Sequence, residues 1–431
     1  VAALGGLSRK FDRAACRPPA GRSLYCSRPN GADQKEQVES RAAGARKTIE
    51  WPCPISIYKL KSIGRIKKSG ISETRRGSPL REIIRKGRHY MPSRRTFVAT
   101  AGLLPLATAG RAFAAPTATH AARAYAGPHQ LPRDLTALSI RQKDGSETLG
   151  VKTKAGVIDV AMAAHLLDIA APVTLEDLLS EGNAAGLKAL VEAALASPKA
   201  KPALLDEATI THGRLFVNPA KIICIGLNYR AHADEAKMPI PKEPILFNKY
   251  NNALAPHDVV LKLPPKDVSY KFDYETELVI VIGKTCRNVP EAEALDYVAG
   301  YCIGNDFSAR DLQLEKGGQW MVGKTLDDFA PIGPYFVSSD LVGNPNDLRL
   351  ETRVNGEIRQ SATTRDLIFN CQNLVAYISR LWALEPGDLI FTGTPPGVIV
   401  GMPKDKQVWL KAGDKIESSI EKLGEMKFEL G

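Results

Sequence analysis

The segment Glu275-Thr276-Glu277-Leu278-Val279-Ile280-Val281-Ile282 limits what the chain can fold into more than any other stretch. It has the composition of a β-strand, and strand alternation puts Glu275, Glu277, Val279 and Val281 on one face. Thr276, Leu278 and Ile280 fall on the other. Both faces are apolar further along, so the strand must be covered on both sides. The two glutamates therefore enter a covered region side by side. They repel each other, and their burial is costly unless a cation or several donors offset it.

A third carboxylate is available in Gly304-Asn305-Asp306-Phe307-Ser308-Ala309-Arg310-Asp311. Asp306 follows the apolar run YVAGYCIG, at the point where a strand would give way to a helical turn. Three carboxylates with no His or Cys in the set describe a site for a hard cation, Mg²⁺ or Mn²⁺. A base is suggested by GLNYRAHADE, residues 226–235. Asn228 is expected to cap a short helix that Pro239 ends, and His232 and Glu235 would share a face at i,i+3. A glutamate there can fix the imidazole tautomer and raise its basicity for work on water.

The run Gly318-Gln-Trp-Met-Val-Gly323-Lys324-Thr325 satisfies the phosphate-loop pattern G-x-x-x-x-G-K-[ST]. A phosphate loop needs a buried strand before it and a helix starting at the lysine. Here the preceding ARDLQLEKG is polar, and Pro331 and Pro334 bar a long helix afterwards. Trp320, Met321 and Val322 are too bulky for a backbone cradle. Nucleotide binding is therefore rejected, and Lys324 is free for another task.

The formal net charge of +11 is concentrated in residues 1–90, which carry 21 Lys+Arg against 7 Asp+Glu. The rest of the chain holds 37 against 40. A basic leader on a slightly acidic body gives no support to a nucleic-acid groove. Met91-Pro-Ser-Arg94-Arg95-Thr-Phe97, a short apolar run and Ala112-Phe113-Ala114 follow in the order of an export signal. The paired arginines resemble a twin-arginine signal, so the expected location is the periplasm, or the cytoplasm if the signal is unused. On this reading 1–90 is an upstream or disordered basic leader, 91–114 the signal peptide and 115–133 a linker. The apolar run is too short for a stable membrane span. Cys224, Cys286, Cys302 and Cys371 show no zinc or iron–sulfur spacing.

Residues 134–212 read as a small α+β N-terminal domain, and 217–431 as a catalytic body that is mostly β. That second part has β runs broken by Gly, Pro and Asn, and one long amphipathic helix in LIFNCQNLVAYISRLWAL. The overall class expected is α+β.

GLNYRAHADE, the E-T-E strand, GNDFSARDLQ, the Lys324 segment and GDLIFTGTPPGV, in this order, resemble the fumarylacetoacetate hydrolase family over about residues 217–431. The resemblance implies a β-rich roll that binds Mg²⁺ or Mn²⁺ through Glu275, Glu277 and Asp306. It implies a His232–Glu235 pair on a mobile lid, and substrate contacts from Tyr229, Lys249, Arg310, Gln313, Lys324 and Thr394. Some members add a fourth carboxylate ahead of the histidine helix; Gly226-Leu227-Asn228 supplies none. The implied activity is C–C hydrolysis of a diketo acid related to acylpyruvate or fumarylacetoacetate, by a homodimer. Lys324 would meet a carboxylate or a developing oxyanion. The same site would also suit an isomerase or hydratase of 2-hydroxyhepta-2,4-diene-1,7-dioate-type intermediates, or a 2-oxo acid decarboxylase. A binding protein for 2-oxo acids, without turnover, is a reading of another class.

Overall fold

The computed structural model describes residues 127–431. The basic leader, the export signal and most of the expected linker lie outside the described residues. No helix among the described residues is long and apolar enough to cross a membrane.

The backbone of the fold is an 11-stranded, mostly antiparallel sheet. At its middle Thr276–Ile282 pairs antiparallel with Val298–Asn305 on one side and with Leu389–Phe391 on the other. Leu389–Phe391 continues in parallel to Ile222–Gly226, which pairs with Ile245–Lys249. In the other direction Val298–Asn305 meets Ala330–Ser338, and that strand pairs with Thr136–Arg141. The strands of the segment 134–212 thus extend the same sheet as those of 217–431. A second sheet of five strands runs Glu357–Thr363, Arg349–Val354, Lys415–Ile420, Gly424–Leu430 and Val259–Leu261. The result is a β-rich α+β architecture, as the sequence pattern indicated.

The two faces of Thr276–Ile282 serve two different cores. Leu278 and Ile280 pack in one cluster with Ile416, Ile420, Met426 and Phe428 of the five-stranded sheet. Leu374, Val375 and Ile378 of the helix Cys371–Leu381 belong to the same cluster. Val279 and Val281 pack in the other, with Leu178, Leu187 and Leu190 from the helices Leu175–Glu181 and Ala184–Ala196. All seven residues of the strand are buried. Each large aliphatic side chain held this way contributes about 1.5–3 kcal/mol of transfer free energy.

The helix caps follow the sequence where short polar residues precede an apolar run. Thr174 accepts from Asp177 N, and Asn370 from Asn373 N. Asn228 is the exception. The helix Arg230–Glu235 has Tyr229 at its N-cap and no side-chain cap bond. The Asn228 amide instead donates to Phe369 O and Thr392 O, while its oxygen accepts from Phe369 N. It is fully buried, and three backbone groups of distant loops need those bonds more than an exposed helix end does.

Truncation of the central strand tests this two-sided packing. Ile280→Ala is expected to lower the unfolding free energy by about 2–5 kcal/mol. A urea titration followed by circular dichroism checks it; a loss under about 0.5 kcal/mol would mean the position is not a sealed core site.

Candidate metal centre

The carboxylates of the central sheet converge. Glu275 and Glu277 lie at the start of the strand Thr276–Ile282, and Asp306 directly follows Val298–Asn305, its neighbour. The register pairs Thr276 with Asn305, so the ends of both strands coincide. Asp306 N donates to Glu275 O, which closes this end of the ladder. One oxygen from each of Glu275, Glu277 and Asp306 lies within 4.8 Å of the others, and all three residues are buried.

Three cations surround the cluster. Arg310 Nη2 contacts Glu275 Oε1 at 2.7 Å, and its Nε contacts Asp273 Oδ2 at 2.9 Å. Lys324 Nζ bridges Glu275 Oε2 at 2.5 Å and Asp306 Oδ2 at 2.9 Å. Lys249 Nζ lies 2.7 Å from Asp306 Oδ1. Among the described residues, no basic side chain is ion-paired with Glu277. Its Oε2 accepts only from Gly393 N, at 2.6 Å. Gly393 has φ +99°, and a Cβ there would sit 2.7 Å from the Asn228 Cβ, so this donor position requires glycine.

The protonation states follow from this uneven distribution. Burial opposes the charge on Glu275, but the Arg310 guanidinium and the Lys324 ammonium prevail and hold its pKa at about 2. Burial pushes the Glu277 carboxyl well above its ordinary range, and the neighbouring Asp306 and Glu275 push it further. Burial also works against the Lys324 ammonium, yet Asp306 and Glu275 outweigh it and raise its pKa.

A divalent ion fits this donor set. The three residues offer only oxygen, the chemistry that Mg²⁺ and Mn²⁺ prefer. Among the described residues, Asp306 Oδ1 accepts no directed hydrogen bond although it is buried, and Glu277 lacks a cation partner. Asp306 Oδ1 still faces the Lys249 ammonium, so Glu277 is the carboxylate for which an ion would most replace lost solvation.

A cavity of about 360 Å³ opens onto the cluster. Glu275, Glu277, Arg310, Gln313, Lys324, Thr394 and His232 all line it. His232 Nδ1 lies 3.3 Å from Glu235 Oε2, and the same carboxylate accepts from Gly397 N at 3.1 and 3.3 Å. Gln313 Oε1 accepts from Arg310 Nη1 at 2.9 Å. Thr394 Oγ1 donates to Thr276 O and accepts from Gln360 Nε2.

Two residues expected as substrate contacts stand elsewhere. Tyr229 is packed in the larger apolar cluster, its hydroxyl has no hydrogen-bond partner among the described residues, and it is absent from the cavity wall. Lys249 is buried beneath Asp306, where it also donates to Phe307 O and Lys324 O. It touches the carboxylate cluster rather than the cavity.

Asp273 also belongs to the site, outside the residues expected from the sequence. It is fully buried and accepts from Arg310 Nε, Ile399 N and Val400 N, thereby fixing both the guanidinium and a turn of the cavity wall. Its signal was present: Asp273, Glu275 and Glu277 alternate in DYETE. Gln360, which orients Thr394, carried no local signal, because it arrives from the second sheet.

The fumarylacetoacetate hydrolase C-terminal family model matches residues 221–430, the part of the chain that carries this centre. A Dictyostelium discoideum protein, "Fumarylacetoacetate hydrolase domain-containing protein 2 homolog", is 51% identical over 220 residues, which is 49% of this chain and 71% of that protein. The chain belongs to the fumarylacetoacetate hydrolase family. "Oxaloacetate tautomerase Fahd2a, mitochondrial" from Rattus norvegicus is 39% identical over 270 residues, 62% of this chain and 82% of its own length. Among solved structures, fumarylacetoacetate hydrolase from Exiguobacterium antarcticum matches with a TM-score of 0.54 and 31% identity, covering 69% of this chain and 99% of its own. Relatives with named hydrolase and tautomerase activities therefore share this fold.

Metal binding should be linked to protons. Burial and the neighbouring carboxylates push the Glu277 pKa well above its ordinary range, so an ion must compete with a proton there. Apparent Mg²⁺ or Mn²⁺ affinity should then rise with pH until Glu277 is ionised, with protons released on binding. Calorimetry in two buffers of different ionisation enthalpy reads that release. Glu277→Gln should remove the pH dependence and weaken binding by more than the roughly 10–100-fold typical of outer partners.

Proposed function

We propose that this protein is a Mg²⁺- or Mn²⁺-dependent hydrolase that cleaves the carbon–carbon bond of a diketo acid of the acylpyruvate or fumarylacetoacetate kind. One observation carries the reading: His232, paired with Glu235, lines the same cavity as Glu275 and Glu277, two of the three clustered carboxylates. A water activated by the imidazole would meet a substrate held against the cluster.

Glu275, Glu277 and Asp306 would hold the ion, which supplies Lewis acidity toward the dicarbonyl when bound. Glu235 commits His232 Nδ1, leaving Nε2 to take a proton from water. For an acylpyruvate, R–CO–CH₂–CO–COO⁻, the water oxygen adds to the acyl carbonyl carbon. The bond from that carbon to CH₂ then breaks. The departing enolate takes up a proton, so the products are R–COOH and pyruvate. Lys324 and Arg310 bring positive charge to the cavity for the substrate carboxylate, and Thr394 adds a hydroxyl beside it. Lys249 and Asp273 act behind the cavity by fixing Asp306, Lys324 and Arg310.

A second reading is keto–enol tautomerisation of a 2-oxo dicarboxylic acid, favoured by the relative named as an oxaloacetate tautomerase. It needs the same cation and base but breaks no carbon–carbon bond.

A mass-spectrometric screen of diketo and 2-oxo acids with Mg²⁺ separates the two. Pyruvate plus a carboxylic acid is the expected result. Solvent-deuterium uptake without fragmentation would select the tautomerase, and binding without either would leave a non-catalytic binding protein. His232→Ala should retain metal binding and lose about 100-fold or more in turnover; normal turnover in that variant removes the assigned base.

A further inference from the structure

The two ends of the cavity differ in chemistry. The inner end holds the buried carboxylates with Arg310 and Lys324. The outer wall is apolar: Leu227, Met238, Phe247, Leu314, Trp320 and Val400. Met238 and Leu314 are about half exposed, at 48% and 50%, so the apolar surface continues to the rim.

Trp320 organises this wall. Its ring lies against the backbone of Gly226, where an added Cβ would come within 2.4 Å of the indole. Glycine at 226 is what admits the ring. Trp320 meets Phe247 edge-to-face, with centroids 5.8 Å apart and planes at 72°. Phe247 in turn lies 5.3 Å from Lys324 Nζ. The aromatic pair therefore joins the charged end of the cavity to its rim.

Arg310 and Lys324 are the two Lys or Arg residues on the cavity wall. Arg310 is committed to Asp273, Glu275 and Gln313, and Lys324 to Glu275 and Asp306, all at the inner end. His232 Nδ1 is committed to Glu235. A substrate carboxylate at the outer end would lose its water and gain no partner there, which is costly. A hydrocarbon tail in the same place gains about fourfold in affinity per buried methylene.

We infer that the site selects diketo or 2-oxo acids whose far end is an uncharged, apolar tail, with Trp320 and Phe247 as the specificity-determining wall. This rests on the proposed function for the identity of the head group. It distinguishes among that function's substrates, favouring acylpyruvates with alkyl or aryl tails over dicarboxylic diketo acids.

Two 2-oxo acids of equal length, 2-oxohexanoate and 2-oxohexanedioate, test the tail without requiring turnover. Calorimetry on the full chain with Mg²⁺ should find 2-oxohexanoate bound at least tenfold more tightly. Trp320→Ala should narrow that ratio severalfold, and Trp320→Phe should largely keep it. Leu314→Lys, at the exposed rim, should shift the ratio toward the dioate. Equal or tighter binding of the dioate by the unaltered protein overturns the inference while leaving the 2-oxo acid head group in place. A ratio untouched by both Trp320→Ala and Leu314→Lys overturns the assignment of this wall. Failure of both acids to bind, with Mg²⁺ uptake intact, overturns the proposed function and the inference together.

Discussion

The burial of four carboxylates against three cations is the constraint on which the rest of the structure depends. Asp273, Glu275, Glu277 and Asp306 sit among Lys249, Arg310 and Lys324 at one end of the central sheet. Taking any one of these groups out of water alone in its charged form would cost several kcal/mol. Each is tolerable because its neighbours arrive from separate segments and are held there by the surrounding β structure. The pairing is incomplete at Glu277, the carboxylate that the proposed divalent ion would compensate.

The sheet makes this arrangement rigid. The strand carrying Glu275 and Glu277 is gripped by two hydrophobic cores, one on each face. Its partner strand ends in register with it and delivers Asp306. Between the two sheets a small polar seam replaces packing: Thr276, Thr352 and Ser418 hydroxyls meet, and Gln360 links Thr276 to Thr394. This seam connects the second sheet to the cavity wall. It allows Thr394 to be placed by a residue with no sequence proximity to it.

Lys324 illustrates how a misleading motif resolves. The letters of a phosphate loop surround it, yet its residues form a 3₁₀ turn, Trp320–Gly323, with the lysine at the end. The ammonium turns inward and is only 2% exposed. The same turn sends Trp320 to the cavity wall. One short segment thus supplies a charge to the inner end of the site and an aromatic surface to the outer end. Trp320, one of the bulky residues that disqualify a phosphate cradle, is the one that lines the apolar wall.

The sequence by itself determined the features that depend on local pattern. Alternation in the E-T-E strand required burial on both sides and put the two glutamates on one face. The i,i+3 spacing put His232 near Glu235. What only the tertiary structure decided depends on partners distant in sequence. Asn228 looked like a cap because short amides cap helices, but buried loop carbonyls claimed it. Lys249 and Tyr229 could not be placed relative to the cavity from their own neighbourhoods, since depth is set by what packs over a residue. Asp273 was visible as a third alternating acid, but its role came from Arg310 and the 399–400 turn. Spacing along a chain fixes which face a side chain takes; only packing fixes which charges and surfaces wait on the other side.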